Sequence, residues 1–563
     1  MRSDHTMIAA LTKMRVDVWR EALATGGLSG YQNQFPDATE HILRAIEFGA
    51  PVDFEGDRSA HRRMPNHPIR DEHLQKVRDV ISADVASLKK AGPLAISPWP
   101  SVNGLPLWIS PIGAVPKKNS TKVRVIHDLS APKGGVSVNA GIEDGSLSIS
   151  SFGHAARAVR RHGRGAWLIK LDVEAAYKQV PVRPEDWHLL GFEFEGKFYY
   201  ERVLPFGLRS SCRLWELFAA ALHFMCEKLK CGAPHEVIHY VDDFLFVVNP
   251  AGGESAARKL LEGALALCAK LGVPMAPNKV EGPSSCLIFL GIELDAAKLE
   301  ARLPKQRLTE LHDLIVEWLS LKRASIRQLQ SLSGLLNFAC ACVAPGRYYT
   351  RRIITHTARL ISIGVKPHAA ADIPPRVHAD VQWWADFLHS WNGISLLYEE
   401  NWLEAKRIEL FTDACQTGFG GYFQGRWIAG AWSPQDLAAA KRTETLSMPF
   451  LEMRALVLAA ATWGHLWRGK KIIFRCDCQP VVQAFADRSS RTPSQMHQMR
   501  TFDRLAAVHG FDYRMEHIVG VTNTIADELS RHGASVQFRA LCPRARKEAD
   551  PLVQPPLPTQ SDL

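Results

Sequence analysis

The stretch IHYVDDFLFVV, Ile238 to Val248, places two adjacent carboxylates, Asp242 and Asp243, between two apolar runs. Runs this rich in Val, Ile, Phe and Tyr read as strands, so the pair of acids falls at a tight turn. Taken alone, such a turn is a solvated hairpin tip. A second strand changes that reading: GAWLIKLDV runs through Trp167, Leu168, Ile169 and Leu171 and closes on Asp172. If the two strands are neighbours, two or three carboxylates meet at one end of a sheet. They stay ionised together only beside cations. Mg2+ (or Mn2+) fits, because such ions take oxygen donors from one or two carboxylates plus phosphate oxygens. Two ions per site are the arrangement used for phosphoryl transfer.

The chain as a whole suits a polyanionic partner. Its 563 residues carry a formal net charge of +10 and are 46% hydrophobic, which indicates several folded domains with a basic surface. The 11 Cys are scattered, and the CxC pairs Cys340/Cys342 and Cys476/Cys478 lack zinc-site spacing. Reduced thiols in an intracellular protein, in cytoplasm or nucleus, are expected. The N-terminus lacks the apolar core of a signal peptide, and no apolar run approaches the ~20 residues of a membrane span.

Residues 1–92 read as a helical extension, with Leu74, Val77, Ile81, Val85 and Leu88 at helical spacing and Gly92-Pro93 ending the helix. From 93 to 300, short strands alternate with helices. Residues 301–405 are helical, with Leu308, Leu311, Ile315 and Leu319 on one face. A second α/β pattern covers 406–535. The Pro-rich tail, 536–563, is expected to be disordered.

Five segments then come in order: PKKNSTKVR, LDVEAAYKQV, LPFGLRSSCRLWE, YVDD and PNK…FLGIEL. Together they resemble the motif series of reverse transcriptases. The resemblance covers about 110–300 and implies a mixed α+β and α/β multidomain protein, a right-hand polymerase with fingers, palm and thumb. It implies metal ligation by Asp172, Asp242 and the Val173 carbonyl, with Asp243 beside the primer end. Tyr177 would be the steric gate that excludes a 2′-hydroxyl. Lys117 and Arg124 would contact the incoming dNTP, with Phe206 and Gly207 supporting nucleotide and template base. Lys279 would protonate the leaving pyrophosphate, and Phe289, Leu290 and Gly291 would grip the primer.

The second α/β unit has its own acids: Asp413 in LFTDAC, Glu452 in LEMRAL, Asp477 in FRCDC and Asp527 in TIADELSR. They resemble the D-E-D-D set of ribonuclease H over about 406–533, implying a ribonuclease H-like domain with two metal ions. One departure stands out. Val521, Thr522 and Asn523 follow Gly520 where many such enzymes have a His, and His517 reads as a structural strand-end residue.

The resemblance therefore implies a bifunctional enzyme of retrotransposon replication. Its partners would be RNA template, DNA primer, RNA–DNA hybrid and dNTP, with no membrane. The segment RQLQSLSGLLNFACACVAPGRYYTRR, together with the upstream strands, is most similar to DIRS-type elements, which mobilise through a separate tyrosine recombinase. A gypsy-like or pararetroviral source is the competitor. Two rival functions are a non-catalytic nucleic-acid-binding relic and an RNA-dependent RNA polymerase. All seven acids stand, which opposes the relic. The hybrid nuclease and Tyr177 oppose the RNA polymerase.

Overall fold

The computed structural model describes residues 2–24, 37–95, 99–116, 123–147, 149–343, 346–390, 394–396, 410–442, 445–488, 490 and 492–548. They divide into two compact units, Met1–Ala158 with Gly165–Leu287, and Val159–Arg164 with Ile288–Leu563.

The first unit is built on a four-stranded sheet in the order Glu281–Ser284, Trp167–Asp172, Asp243–Val248, His235–Tyr240. Neighbours are antiparallel throughout. Phe244 through Val248 are all buried, so both faces of that strand are covered and its sequence shows a continuous apolar run rather than alternation. Helices Ser211–Glu227 and Gly253–Leu271 pack on this sheet.

The N-terminal helices Arg2–Leu11, Val16–Ala24 and Ala38–Phe48 contribute to the same core. The buried Trp19 donates its indole N–H to the Leu271 carbonyl at 2.9 Å and meets Phe218 edge-on. The next helix, Asp71–Ala86, ends earlier than the expected stop at Gly92-Pro93. Leu88 turns to φ +62, and Lys90–Leu94 becomes a strand antiparallel to Lys197–Glu201. The cause is tertiary. The buried Lys90 ammonium lies 2.5 Å from Glu201 and 3.0 Å from Asp84, and a buried charge without such partners is far costlier than a broken helical turn. Asp84 also holds Lys178, the neighbour of Tyr177.

The first unit passes into the second within strand Cys286–Phe289, which heads a sheet in the order Cys286–Phe289, Ile292–Asp295, Glu300–Arg302, Ile394–Leu396, the last three antiparallel. Helices Lys305–Ser320, Ile326–Ala339, Gly346–Ser362 and Pro375–Ser390 follow. The second helix starts at a capping box in which Ser325 and Gln328 exchange side-chain and backbone hydrogen bonds. Further on, Leu410–Ala414, Gly418–Phe423 and Arg426–Ala431 form an antiparallel meander. Lys471–Cys476 pairs in parallel with Asp512–His517. Helix Met448–Trp463 is buried almost all round and packs on both the meander and helix Pro493–His509. Asp380, 1% exposed, joins the helical and meander parts by accepting from Arg352 and Arg500, and the Arg500 guanidinium lies over the Tyr349 ring.

Residues 536–548, expected within a disordered tail, are ordered. Val536–Leu541 is helical with Phe538 buried against Trp427, and Arg546–Lys547 pairs with Arg426–Trp427. Residues 549–563 lie outside the described residues. No helix among those described is long and apolar enough to cross a membrane.

Candidate functional site

In the first unit the strand register decides the site. Asp243 is the Cα partner of Asp172 on one side and of Tyr240 on the other. Val241 and Asp242 therefore form a two-residue turn, and three carboxylates gather at one end of the sheet. Val241 sits at φ +56, uncommon for a β-branched residue. Two bonds hold it there: Trp215 Nε1 donates to the Val241 carbonyl at 2.8 Å, and the Val173 N–H donates to the Asp242 carbonyl at 2.9 Å. Strain at such a point persists only where the surroundings over-determine it.

The acids strain one another as well. Burial, then Asp242 and Asp172, push the Asp243 carboxyl up to about 6. Burial and Asp172 raise Asp242. Lys279 answers this field, with Nζ 2.6 Å from Asp172 Oδ2. Burial acts against its charge, but Asp172, Asp242 and Asp243 outweigh it and hold the ammonium above its ordinary range.

Of the residues that the resemblance assigns to the nucleotide, three lie in one run of side-chain contacts. The Tyr177 ring lies 5.2 Å from Phe206, and the Arg124 guanidinium lies 5.3 Å from the Phe206 ring on its face. Burial, then Cys212 and Asp242, hold the Tyr177 hydroxyl protonated. Lys117 lies outside the described residues. Gly207 has φ +104, and a Cβ there would stand 1.9 Å from the His127 carbonyl oxygen. Asn139 clamps this loop, donating to the Gly207 carbonyl and accepting from the Arg209 N–H, each at 2.8 Å. Gly207→Ala is therefore expected to lower the melting temperature and cut primer extension at least about tenfold, measured side by side, because it combines a strained backbone with a backbone clash.

Phe289, Leu290 and Gly291 divide between two roles in the second unit. Phe289 is fully buried, while Leu290 at φ +49 and Gly291 at φ +77 make the hairpin tip.

The second group of acids converges too. Asp413 lies in the first strand of the meander and Glu452 in the buried helix. Asp477 directly follows strand Lys471–Cys476, and Asp527 lies in helix Thr524–His532. Glu452, Cys476 and Asp477 present ligand atoms within 4.8 Å of one another. Burial, then Asp413 and Asp477, push Glu452 up to about 9. Burial raises Asp413 to about 6 despite a 2.6 Å hydrogen bond from Ser530 Oγ. Asp527 pairs with Arg531 at 2.7 Å. His517 contacts the Asp477 carbonyl at 3.2 Å, and Gly520 leaves room at the Asp477 carboxylate, where a Cβ would come within 3.2 Å.

The raised Glu452 has a consequence for stability. Its folded carboxyl keeps a proton up to about 9, whereas an unfolded one loses it near 4.5. Folding takes up a proton in that window, so stability falls as pH rises through it. In chelator, Glu452→Gln should melt with wild type near pH 4 and roughly 5 °C or more above it at pH 8. Parallel melting curves across pH would sink this expectation.

Trp215, Asn139 and Ser530 had no signal in the sequence, since each acts through bonds to segments far away in the chain. A cavity of about 690 Å³ between helices Ala38–Phe48 and Ser211–Glu227 is lined by none of the acids above, so its size does not mark the chemistry.

One sheet end thus carries Asp172, Asp242 and Asp243 beside the Lys279 ammonium. Residues 115–294 match the family model described as reverse transcriptase (RNA-dependent DNA polymerase), so this segment is a reverse transcriptase domain. Polyprotein P3 of Commelina yellow mottle virus is 22% identical over 383 residues, 66% of this chain and 18% of that protein. The Gag-Pol polyprotein of Walleye dermal sarcoma virus is 30% identical over 137 residues, 24% of this chain and 7% of that protein. The chain thus spans less than a fifth of the length of either. Among solved structures, a foamy viral protease-reverse transcriptase in complex with double-stranded DNA is similar at TM-score 0.48 and 17% identity, covering 83% of this chain and 73% of that one. The foamy viral protein with an RNA/DNA hybrid gives 0.41 and 13%, covering 92% and 86%.

Proposed function

We propose that the chain is an RNA-directed DNA polymerase and an RNA–DNA hybrid ribonuclease of a retroelement. The observation that carries the polymerase reading is the register that pairs Asp172 with Asp243 across the turn holding Asp242. The donors fit hard divalent cations, since buried carboxylates raised by one another gain from positive charge between them. Asp172, Asp242 and the Val173 carbonyl would hold Mg2+ or Mn2+ in the palm. Asp413, Glu452, Asp477 and Asp527 would do so in the meander unit. Such ions, when bound, supply Lewis acidity at phosphate oxygens.

The chain's own groups do the rest. Arg124 and Lys117 would bind the triphosphate, Arg as a fork and Lys as a point charge. Lys279, kept protonated by its acidic neighbours, would hand a proton to the departing pyrophosphate. Tyr177, its ring against Phe206, would close the space below the sugar. Tyr177→Ala should raise ribonucleotide incorporation roughly tenfold or more in single-nucleotide extension assays. An unchanged sugar preference would remove the gate.

The finer placement in the DIRS group, with a separate tyrosine recombinase as partner, rests on the linker and fingers sequences. The pararetroviral alternative has in its favour the 383-residue match to the Commelina yellow mottle virus polyprotein. The decisive assay for the enzyme is primer extension on an RNA template with Mg2+ or Mn2+, following template degradation in the same tube. DNA product with loss of template supports both activities, and neither product refutes the reading.

A further inference from the structure

The ribonuclease-like acids share their pocket with sulfur. Cys476 closes the strand that Asp477 follows, and its Sγ stands with the Glu452 and Asp477 carboxylates in one set of donors within 4.8 Å of one another. A tetrahedral zinc site with metal–sulfur near ~2.3 Å and metal–oxygen near ~2.0 Å has donors about 3.5 Å apart, so a small contraction closes this set. The backbone that carries the set is anchored. Cys476 is in register with His517 on the neighbouring strand, the Ile518 N–H donates to the Cys476 carbonyl at 3.1 Å, and helix Met448–Trp463 fixes Glu452 from the other side. The Cys478 N–H donates to Cys476 Sγ at 3.4 Å, while burial and then Glu452 hold the thiol protonated, so a metal has to displace that proton. By contrast, Cys415 is engaged elsewhere, with the Ser530 carbonyl, the Gly418 N–H and the Thr417 hydroxyl.

Sulfur is the informative donor. Mg2+ and Mn2+ prefer oxygen and gain little from a thiol, whereas Zn2+ and Cd2+ bind thiolate strongly. We propose that Glu452, Cys476 and Asp477 form a soft-metal site that takes Zn2+ or Cd2+ and thereby silences hybrid cleavage, while DNA synthesis at the palm acids continues. Binding forms one metal–sulfur and two metal–oxygen bonds and releases the Cys476 thiol proton and the Glu452 carboxyl proton to solvent; no electron is transferred. The inhibitory half rests on the hybrid-nuclease reading, whereas metal capture does not.

The test uses the full reduced chain, stripped with chelator and titrated with Cd2+, reading the ultraviolet thiolate-to-cadmium charge-transfer band. Wild type should show a saturable band that Cys476→Ser and Cys476→Ala lose and Cys478→Ser keeps. Melting curves confirm that each variant is folded. With Mg2+ present, Zn2+ should suppress hybrid cleavage in wild type, and Cys476→Ser should need at least about tenfold more Zn2+ for the same effect. Equal bands in wild type and both Cys476 variants overturn the site, as does loss of the band on Cys478→Ser instead. Equal zinc sensitivity overturns the silencing. A wild-type chain that gives the band yet never cleaves hybrid refutes the nuclease reading and leaves the metal site standing.

Discussion

Asp242→Asn is expected to abolish DNA synthesis, by roughly a thousandfold or more, and to leave hybrid cleavage within about twofold of wild type. The size follows from what the residue is asked to do. Asp242 stands on a two-residue turn between Asp172 and Asp243, where an amide has the same shape but cannot neutralise a cation. The substitution should not harm the fold. Burial and Asp172 both push the Asp242 carboxyl up, so an uncharged replacement relieves repulsion. The turn is held by bonds from Trp215 and Val173 to backbone carbonyls, which the change does not touch. Primer extension, hybrid cleavage and a melting curve on one preparation separate the outcomes. Loss of both activities in a folded variant would refute the assignment of two independent centres.

Asp477→Asn should do the reverse, removing hybrid cleavage by a similar factor and sparing DNA synthesis. Asp477 follows a strand that parallel pairing holds against Asp512–His517, and its carboxylate faces Glu452. Asp477 is one of the charges that raise Glu452, after burial and Asp413. The variant should therefore fold at least as well as wild type in chelator while the proposed hybrid cleavage is lost. Retained cleavage would remove Asp477 from the centre and leave the polymerase assignment untouched.

These two expectations were reachable early because each acid announces itself locally. Asp172 and Asp413 lie at or near the end of apolar runs, and Glu452 lies in a helix too apolar to face solvent. The order of five motifs then identified the polymerase segment, and the residues between 115 and 294 agree with it. Local pattern failed where a distant partner outweighed it. The helix expected to run to Gly92-Pro93 stops at Ala86, because Lys90 is drawn to Glu201 and Asp84. Residues 536–548 looked like tail, yet Phe538 finds Trp427 and a short strand finds the open edge at Arg426.

The amino-acid order by itself determined which residues carry charge at strand ends, since apolar runs and turns are short-range properties. Only the tertiary structure decided that Asp243 faces Asp172, that Lys279 rests on Asp172, that Asn139 clamps the Gly207 loop and that Cys476 joins Glu452 and Asp477. Each of these is a contact between segments far apart in the chain, and its energy depends on burial and register, which come into being only when the sheets close.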